Sequence, residues 1–181
     1  MSTARRSAPA PPQDNAPPCP WDGLTPEGTG LDVHDFLTTL FSHTSNGLRR
    51  AITLPYAERF DLSVSEWRLL SVLAHAGSLP FPDLVAESAA DKALVSRTLQ
   101  LLAKRGLVKV LTPPVGRKGM LVSMTDEGQL LYEKVMPVAQ RSQAAMILRL
   151  SPHERRTLYE VLRRLRAQCA EVQGREQDAD A

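Results

Sequence analysis

The chain has 181 residues, of which 43% are apolar, and a formal net charge of +2; this is enough to close one globular core with appendages and excludes a wholly disordered chain. Its uninterrupted apolar runs are a few residues long, far short of the roughly 20 that a membrane-spanning helix needs. The charge is unevenly spread: residues 55–125 hold nine Lys/Arg against six Asp/Glu, a local +3, whereas residues 170–181 hold one Arg against four acids, a local −3.

In chain order, residues 1–30 contain seven of the 14 prolines and three glycines without a periodic apolar pattern, so they are expected to form a disordered tail. Within it, Cys19, Pro20 and Trp21 offer a local docking point for the body. Arg5 and Arg6 run into Pro, Gln and Asp rather than an apolar stretch. That argues against a secretory leader and for a cytoplasmic location. Two cysteines 150 positions apart, Cys19 and Cys169, suit free thiols in a reducing compartment.

From Leu31 the pattern turns helical. Val33, Phe36, Leu37, Leu40, Phe41, Thr44 and Leu48 fall on one sector of a helix expected to end at about Leu54, before Pro55. Ser63 with Glu66 three residues later reads as a capping box, and Leu62 is placed to staple onto Trp67. The helix that follows is expected to stop near Gly77. Pro80 and Pro82 open a short helix through Ser88, and Asp91 begins another that closes on the basic turn Lys104-Arg105-Gly106.

Leu107 to Thr112 and Met120 to Met124 read as a β-hairpin whose tip carries Arg117 and Lys118. Thr125 caps a fifth helix that Pro137 should kink or restart. Ser151-Pro152-His153-Glu154 starts a sixth. Its apolar positions Leu158, Val161, Leu162, Leu165, Cys169 and Val172 follow an i, i+3, i+4, i+7 rule, and Cys169 is expected to be a small buried hydrophobe there. Residues 174–181 are expected to fray.

The helix from Asp91 to Arg105 has two chemically distinct halves. Leu94, Val95, Thr98, Leu99, Leu101 and Leu102 share the half expected to be buried. Lys92, Ala93, Ser96, Arg97, Gln100 and Lys104 form a polar strip suited to a DNA major groove, where Arg addresses guanine, Gln addresses adenine, and Ser or Lys holds phosphates. A short helix before it and a basic-tipped hairpin after it make the order of a winged helix-turn-helix.

Four motifs then carry a resemblance. Asp61-Leu62-Ser63 through Trp67-Arg68-Leu69-Leu70, Asp91-Lys92-Ala93-Leu94-Val95-Ser96-Arg97, Leu102-Ala103-Lys104-Arg105-Gly106-Leu107-Val108 and Val122-Ser123-Met124-Thr125-Asp126-Glu127-Gly128 together resemble the MarR family of bacterial transcriptional regulators, over about residues 31–172. A fainter overall similarity points to members that govern nicotinate breakdown and exopolysaccharide synthesis.

The resemblance implies a mainly α fold: a winged helix-turn-helix over residues 55–125 with a two-stranded β wing, and a helical dimerisation region over 31–54 and 126–173. It also implies a homodimer on a pseudo-palindromic operator in double-stranded DNA, usually repressing and often released by a small molecule. One departure stands out. Family members generally carry an Asp-x-Arg triplet in the wing, and here those slots hold Gly116, Arg117 and Lys118, so the wing lacks its acidic partner and Arg117 or Lys118 is expected to take the minor-groove contact.

The same resemblance puts an effector pocket between the dimer helices and the DNA-binding lobe. Phe36, Leu40, Phe41, His43 and Trp67 are its candidate apolar and aromatic wall, and Arg49, Arg50 or Arg68 its candidate partner for a carboxylate. The expected effector is a small aromatic acid, with a hydroxylated pyridine carboxylate the specific suggestion. No cofactor is expected. The sequence contains no His-Glu-x-x-His, Cys-x-x-Cys or Gly-x-Ser-x-Gly, which argues against an enzyme. The competing readings are a constitutive architectural DNA binder and a thiol-based redox sensor using Cys19 or Cys169.

Overall fold

The computed structural model describes residues 19–111 and 119–179, with side chains to 172. Two compact units meet between Ser45 and Asn46. In the first, residues 19–36 form successive turns rather than a featureless tail, with backbone bonds such as Asp22 N–H to Cys19 O at 3.0 Å. Trp21 stays 40% exposed, and its indole N–H donates to Asp35 O at 2.9 Å. Asp32 then caps a single 3-10 turn, Val33–Asp35, and the helix proper, α1, is Leu37–Leu48, later than the expected start at Leu31.

Pro55 does not stop the helical run. A π turn, Arg49–Thr53, leads into α2, Leu54–Arg59, and the residues on either side of that turn, Leu48 and Leu54, keep right-handed helical torsions. The continuation through Pro55 has a local cause. Pro55 lacks an N–H and crowds the carbonyl of the preceding turn, and widening that turn to i→i+5 bonding, with Leu54 N–H on Arg49 O, accommodates it without breaking the helix.

The helices that follow obey their caps. α3, Val64–Ala76, begins with Glu66 N–H on Ser63 Oγ at 3.1 Å and Ser63 N–H on Glu66 Oε2 at 2.8 Å, a complete capping box. It ends at Gly77, whose φ of 77° is open to glycine at little steric cost. α4 is Phe81–Ser88. α5, Lys92–Lys104, starts with Asp91 Oδ1 accepting from Leu94 N–H at 2.7 Å.

Three strands follow the order β1-β3-β2, all antiparallel: β1 Ser78–Pro80, β2 Val108–Leu111 and β3 Leu121–Met124. β2 and β3 are the expected hairpin, paired with Val110 opposite Val122; its tip, with Arg117 and Lys118, lies outside the described residues. β1 is an addition. It is three residues long and ends in proline, which a sheet tolerates at an edge because no ladder donor is lost there.

α6, Asp126–Ile147, runs as one helix through Pro137 rather than restarting. α7, Pro152–Ala179, opens on a second capping box, Ser151 N–H to Glu154 Oε2 at 2.7 Å and Glu154 N–H to Ser151 Oγ at 3.3 Å. It stays helical past Gly174, where fraying was expected, because no proline or αL residue interrupts it before Ala179. Cys169 is exposed in the single chain, as are Leu158, Leu162 and Val172 of its stripe, while Val161 and Leu165 are half-buried.

The core of the second unit gathers on α3. Leu69, Leu70 and Leu73 are at most 2% exposed and join Leu84 of α4, Val95, Leu99 and Leu102 of α5, and Val122 of β3. Burying each such side chain contributes about 1.5–3 kcal/mol, so the orientation of α5 is set by three buried residues along one side. Leu101, expected with them, is 55% exposed. It lies at the margin of the apolar arc, about 100° from Leu102, and the α3 surface does not extend that far.

Candidate nucleic-acid interface

Between α4 and α5 the chain turns through Ala89, a left-handed residue at φ 47°, and Asp91 then fixes the first turn of α5. Buried Val95, Thr98, Leu99 and Leu102 leave the opposite side of the helix outward. Lys92, Ala93, Arg97, Gln100 and Lys104 are all exposed and Ser96 is half-buried. Among the described residues, Lys92, Arg97 and Lys104 form no ion pair with a carboxylate. Three cations, an amide and a hydroxyl therefore share one open strip.

The far end of α5 is anchored by a residue that the sequence reading treated only as part of a basic turn. Arg105 Nη1 donates to Glu66 Oε1 at 2.8 Å and its Nη2 reaches Asp61 Oδ2 at 3.4 Å. The same Glu66 carboxylate closes the cap of α3, so one group ties the start of α3 to the end of α5. Burial opposes ionisation of Glu66, but the bonds from Ser63 and the Arg105 guanidinium outweigh it and hold the carboxyl below its usual range.

A depressed folded-state pKa stabilises the fold above the unfolded value, about 4.3, and the contribution is lost as pH falls through the lower folded value. Glu66→Gln is expected to be less stable than the parent at pH 7 and to lose less stability on acidification. Thermal melts of both proteins between pH 7 and pH 3 test this, and parallel curves would rule it out.

A second anchor holds the sheet to α6. Thr125 Oγ1 donates to Gly106 O at 2.6 Å and accepts from Gly128 N–H at 3.1 Å, while Thr125 N–H bonds Leu107 O at 3.2 Å. Gly128 lies so close to the Leu107 carbonyl that a Cβ there would overlap it. The motif Thr125-Asp126-Glu127-Gly128 was legible; the backbone it presses on, 21 residues earlier, was not.

The residues proposed for an effector are not all free to serve. Phe36, Leu40 and Phe41 are 38–41% exposed and His43 is exposed, so the wall offered by α1 is open in the single chain. Arg49 begins the π turn and is half-buried, and Arg50 is exposed. Trp67 is 7% exposed. Its ring stacks on Tyr132 of α6 at 5.5 Å and meets Tyr56 of α2 edge-on at 5.8 Å, so it joins three helices instead of walling an open cavity. The Arg68 guanidinium donates to Ser88 O at the end of α4, 3.3 Å away, and serves the helix-turn-helix.

Comparison with known proteins places this arrangement. Residues 60–119 match the MarR family. An HTH-type transcriptional regulator of Bacillus subtilis, YdgJ, itself uncharacterised, is 31% identical over 120 residues, covering 66% of this chain and 73% of that one. The homoprotocatechuate degradative operon repressor of Escherichia coli is 30% identical over 80 residues, 44% of this chain and 54% of the repressor. The same fold occurs in Bordetella bronchiseptica BpsR, solved in a study of how 6-hydroxynicotinic acid regulates its DNA binding, with a TM-score of 0.62, 22% identity, and coverage of 75% of this chain and 96% of BpsR.

Proposed function

The chain belongs to the MarR family of DNA-binding transcriptional regulators, and from that premise we propose that it is a homodimeric repressor of a pseudo-palindromic operator, released by a small hydroxylated aromatic carboxylate. The observation that carries the reading is the outward strip on α5, with Lys92, Arg97 and Lys104 unpaired among the described residues beside Ala93, Ser96 and Gln100. Two such helices one helical turn of duplex apart read two half-sites.

A second copy of the chain supplies the spacing. α1 and α7 leave Leu37, Leu40, Leu158, Leu162 and Val172 38–56% exposed, and apolar faces of this extent favour association. Effector binding is assigned to Phe36, Leu40, Phe41 and His43; Trp67 and Arg68 already hold other partners. The names of two similar proteins motivate the ligand class: a repressor of homoprotocatechuate degradation and a regulator responsive to 6-hydroxynicotinic acid.

The test is fluorescence anisotropy on the DNA flanking the coding region, titrated with hydroxybenzoates, hydroxyphenylacetates and hydroxynicotinates. Selective, salt-dependent binding that one acid class reverses is the expected result. Arg117→Ala with Lys118→Ala should weaken binding and reduce the salt slope by about one to two units if the wing enters the minor groove. Failure to enrich any sequence from a randomised duplex pool, or a monomer by sedimentation, would overturn the reading; duplex binding unmoved by any aromatic acid would leave a constitutive DNA binder.

A further inference from the structure

The most basic stretch of the chain lies outside the DNA-reading lobe. Residues 141–166 hold seven arginines (141, 149, 155, 156, 163, 164, 166) against Glu154 and Glu160, a local +5, compared with +3 for residues 55–125. On α7 these charges are ordered. At about 100° per residue, Arg155, Arg156, Tyr159, Arg163 and Arg166 fall within an arc of about 100°, and neither Glu154, Glu160 nor Glu171 enters it. Val161, Leu165 and Val172 lie on the opposite side, Leu158 flanks them, and Leu162 borders the arc about 20° from Arg155.

This opposition matters for access. A cover seated on Val161, Leu165 and Val172 leaves Arg156 and Arg163, at the far edge of the arginine stripe, on the surface. Arg156, Arg163 and Arg166 are exposed, and among the described residues none of them forms an ion pair. The Arg163 guanidinium lies over the Tyr159 ring at 6.0 Å, an arrangement that holds the cation outward without a carboxylate. Arg155 to Arg166 spans about 16 Å of helix axis at 1.5 Å per residue, long enough to face two or three successive phosphates of a nucleic-acid strand.

We propose that the Arg155–Arg166 stripe of α7 is a second, sequence-independent binding surface for the phosphate backbone of duplex DNA, separate from the base-reading strip of α5. The chemistry favours a phosphodiester backbone over an acidic protein segment. The stripe is repeated guanidinium with a single aromatic ring and no aliphatic anchor, whereas peptide docking sites are centred on buried apolar or aromatic anchors. Guanidinium groups match phosphate oxygens in paired geometry. Such a surface raises affinity for DNA in general and leaves discrimination between sequences to α5.

The experiment compares the full-length parent with Arg156→Gln, Arg163→Gln, Arg166→Gln on a non-operator duplex, by anisotropy across a salt series. At about 0.9 units of log–log slope per phosphate contact, the triple variant should lose about two to three units. Its affinity at about 0.1 M salt should drop tenfold or more, while the ratio of operator to non-operator affinity stays within about twofold. Gln keeps the helix propensity of Arg, and an unchanged circular dichroism spectrum checks the fold. Unchanged slope and affinity would overturn the proposal. So would binding of poly-glutamate that the variant loses while its duplex binding matches the parent, since the stripe would then serve an acidic protein. Loss of operator selectivity in both proteins, with the difference in non-operator slope retained, would count against the proposed operator function alone.

Discussion

Gly128→Ala is expected to destabilise the protein by about 3 kcal/mol, lowering the melting temperature by about 6–12 °C for a chain of this size. Inside an ordinary helix the same replacement stabilises, by about 0.5–1 kcal/mol, so the sign of the result decides the matter. The new Cβ would overlap the Leu107 carbonyl, which is backbone and already accepts from Thr125 N–H. Relief therefore requires α6 to move off the start of β2. That movement would stretch the bonds of Thr125 to Gly106 O and from Gly128 N–H, which set how the wing leaves the body. Differential scanning calorimetry measures the shift, and a melting temperature equal to or above the parent's would show that the contact yields without strain.

Arg97→Ala is expected to do the reverse: abolish selective DNA binding and leave the fold intact. Arg97 is exposed, with no carboxylate partner among the described residues, so its removal should change stability by no more than about 0.5 kcal/mol. A bidentate contact from arginine to a guanine is worth about 1–3 kcal/mol of discrimination, so operator affinity should fall about 5- to 150-fold per half-site. Arg97→Lys should not restore it, because an ammonium presents a point charge where the guanidinium presents a planar fork. Full recovery by lysine would reassign Arg97 to a phosphate, and unchanged affinity in the alanine variant would remove α5 from the interface.

The two variants separate kinds of residue that differ in how far the sequence reveals them. The outward placement of Arg97 was legible because it depends on neighbours within about one turn, which set it on a strip opposite Val95, Leu99 and Leu102. The caps were legible for the same reason: Ser63 with Glu66, Asp91 with Leu94, and Ser151 with Glu154 each close over three residues. Arg105 was hidden by distance, since its partner Glu66 lies 39 residues earlier. Trp67 looked like free aromatic surface until Tyr132, on a helix that begins at Asp126, was found stacked on it.

Departures in secondary structure follow the same division. A proline normally ends a helix, and the exception at Pro55 depended on a π turn that the composition of residues 49–53 does not announce. The strand Ser78–Pro80 is too short for a pattern of its own and exists because β3 offers it an edge. By itself, the sequence determined where the capped helices α3, α5, α6 and α7 begin, which side of α5 turns outward, and the order of helix, turn, helix and hairpin, because these rest on hydrogen bonds and periodicities spanning one or two turns of chain. Only the tertiary structure decided which charges are spent on internal ion pairs, which aromatic faces are covered, and where a glycine admits no substitute. Those outcomes depend on groups tens of residues apart meeting at van der Waals distance, and no local pattern encodes that meeting.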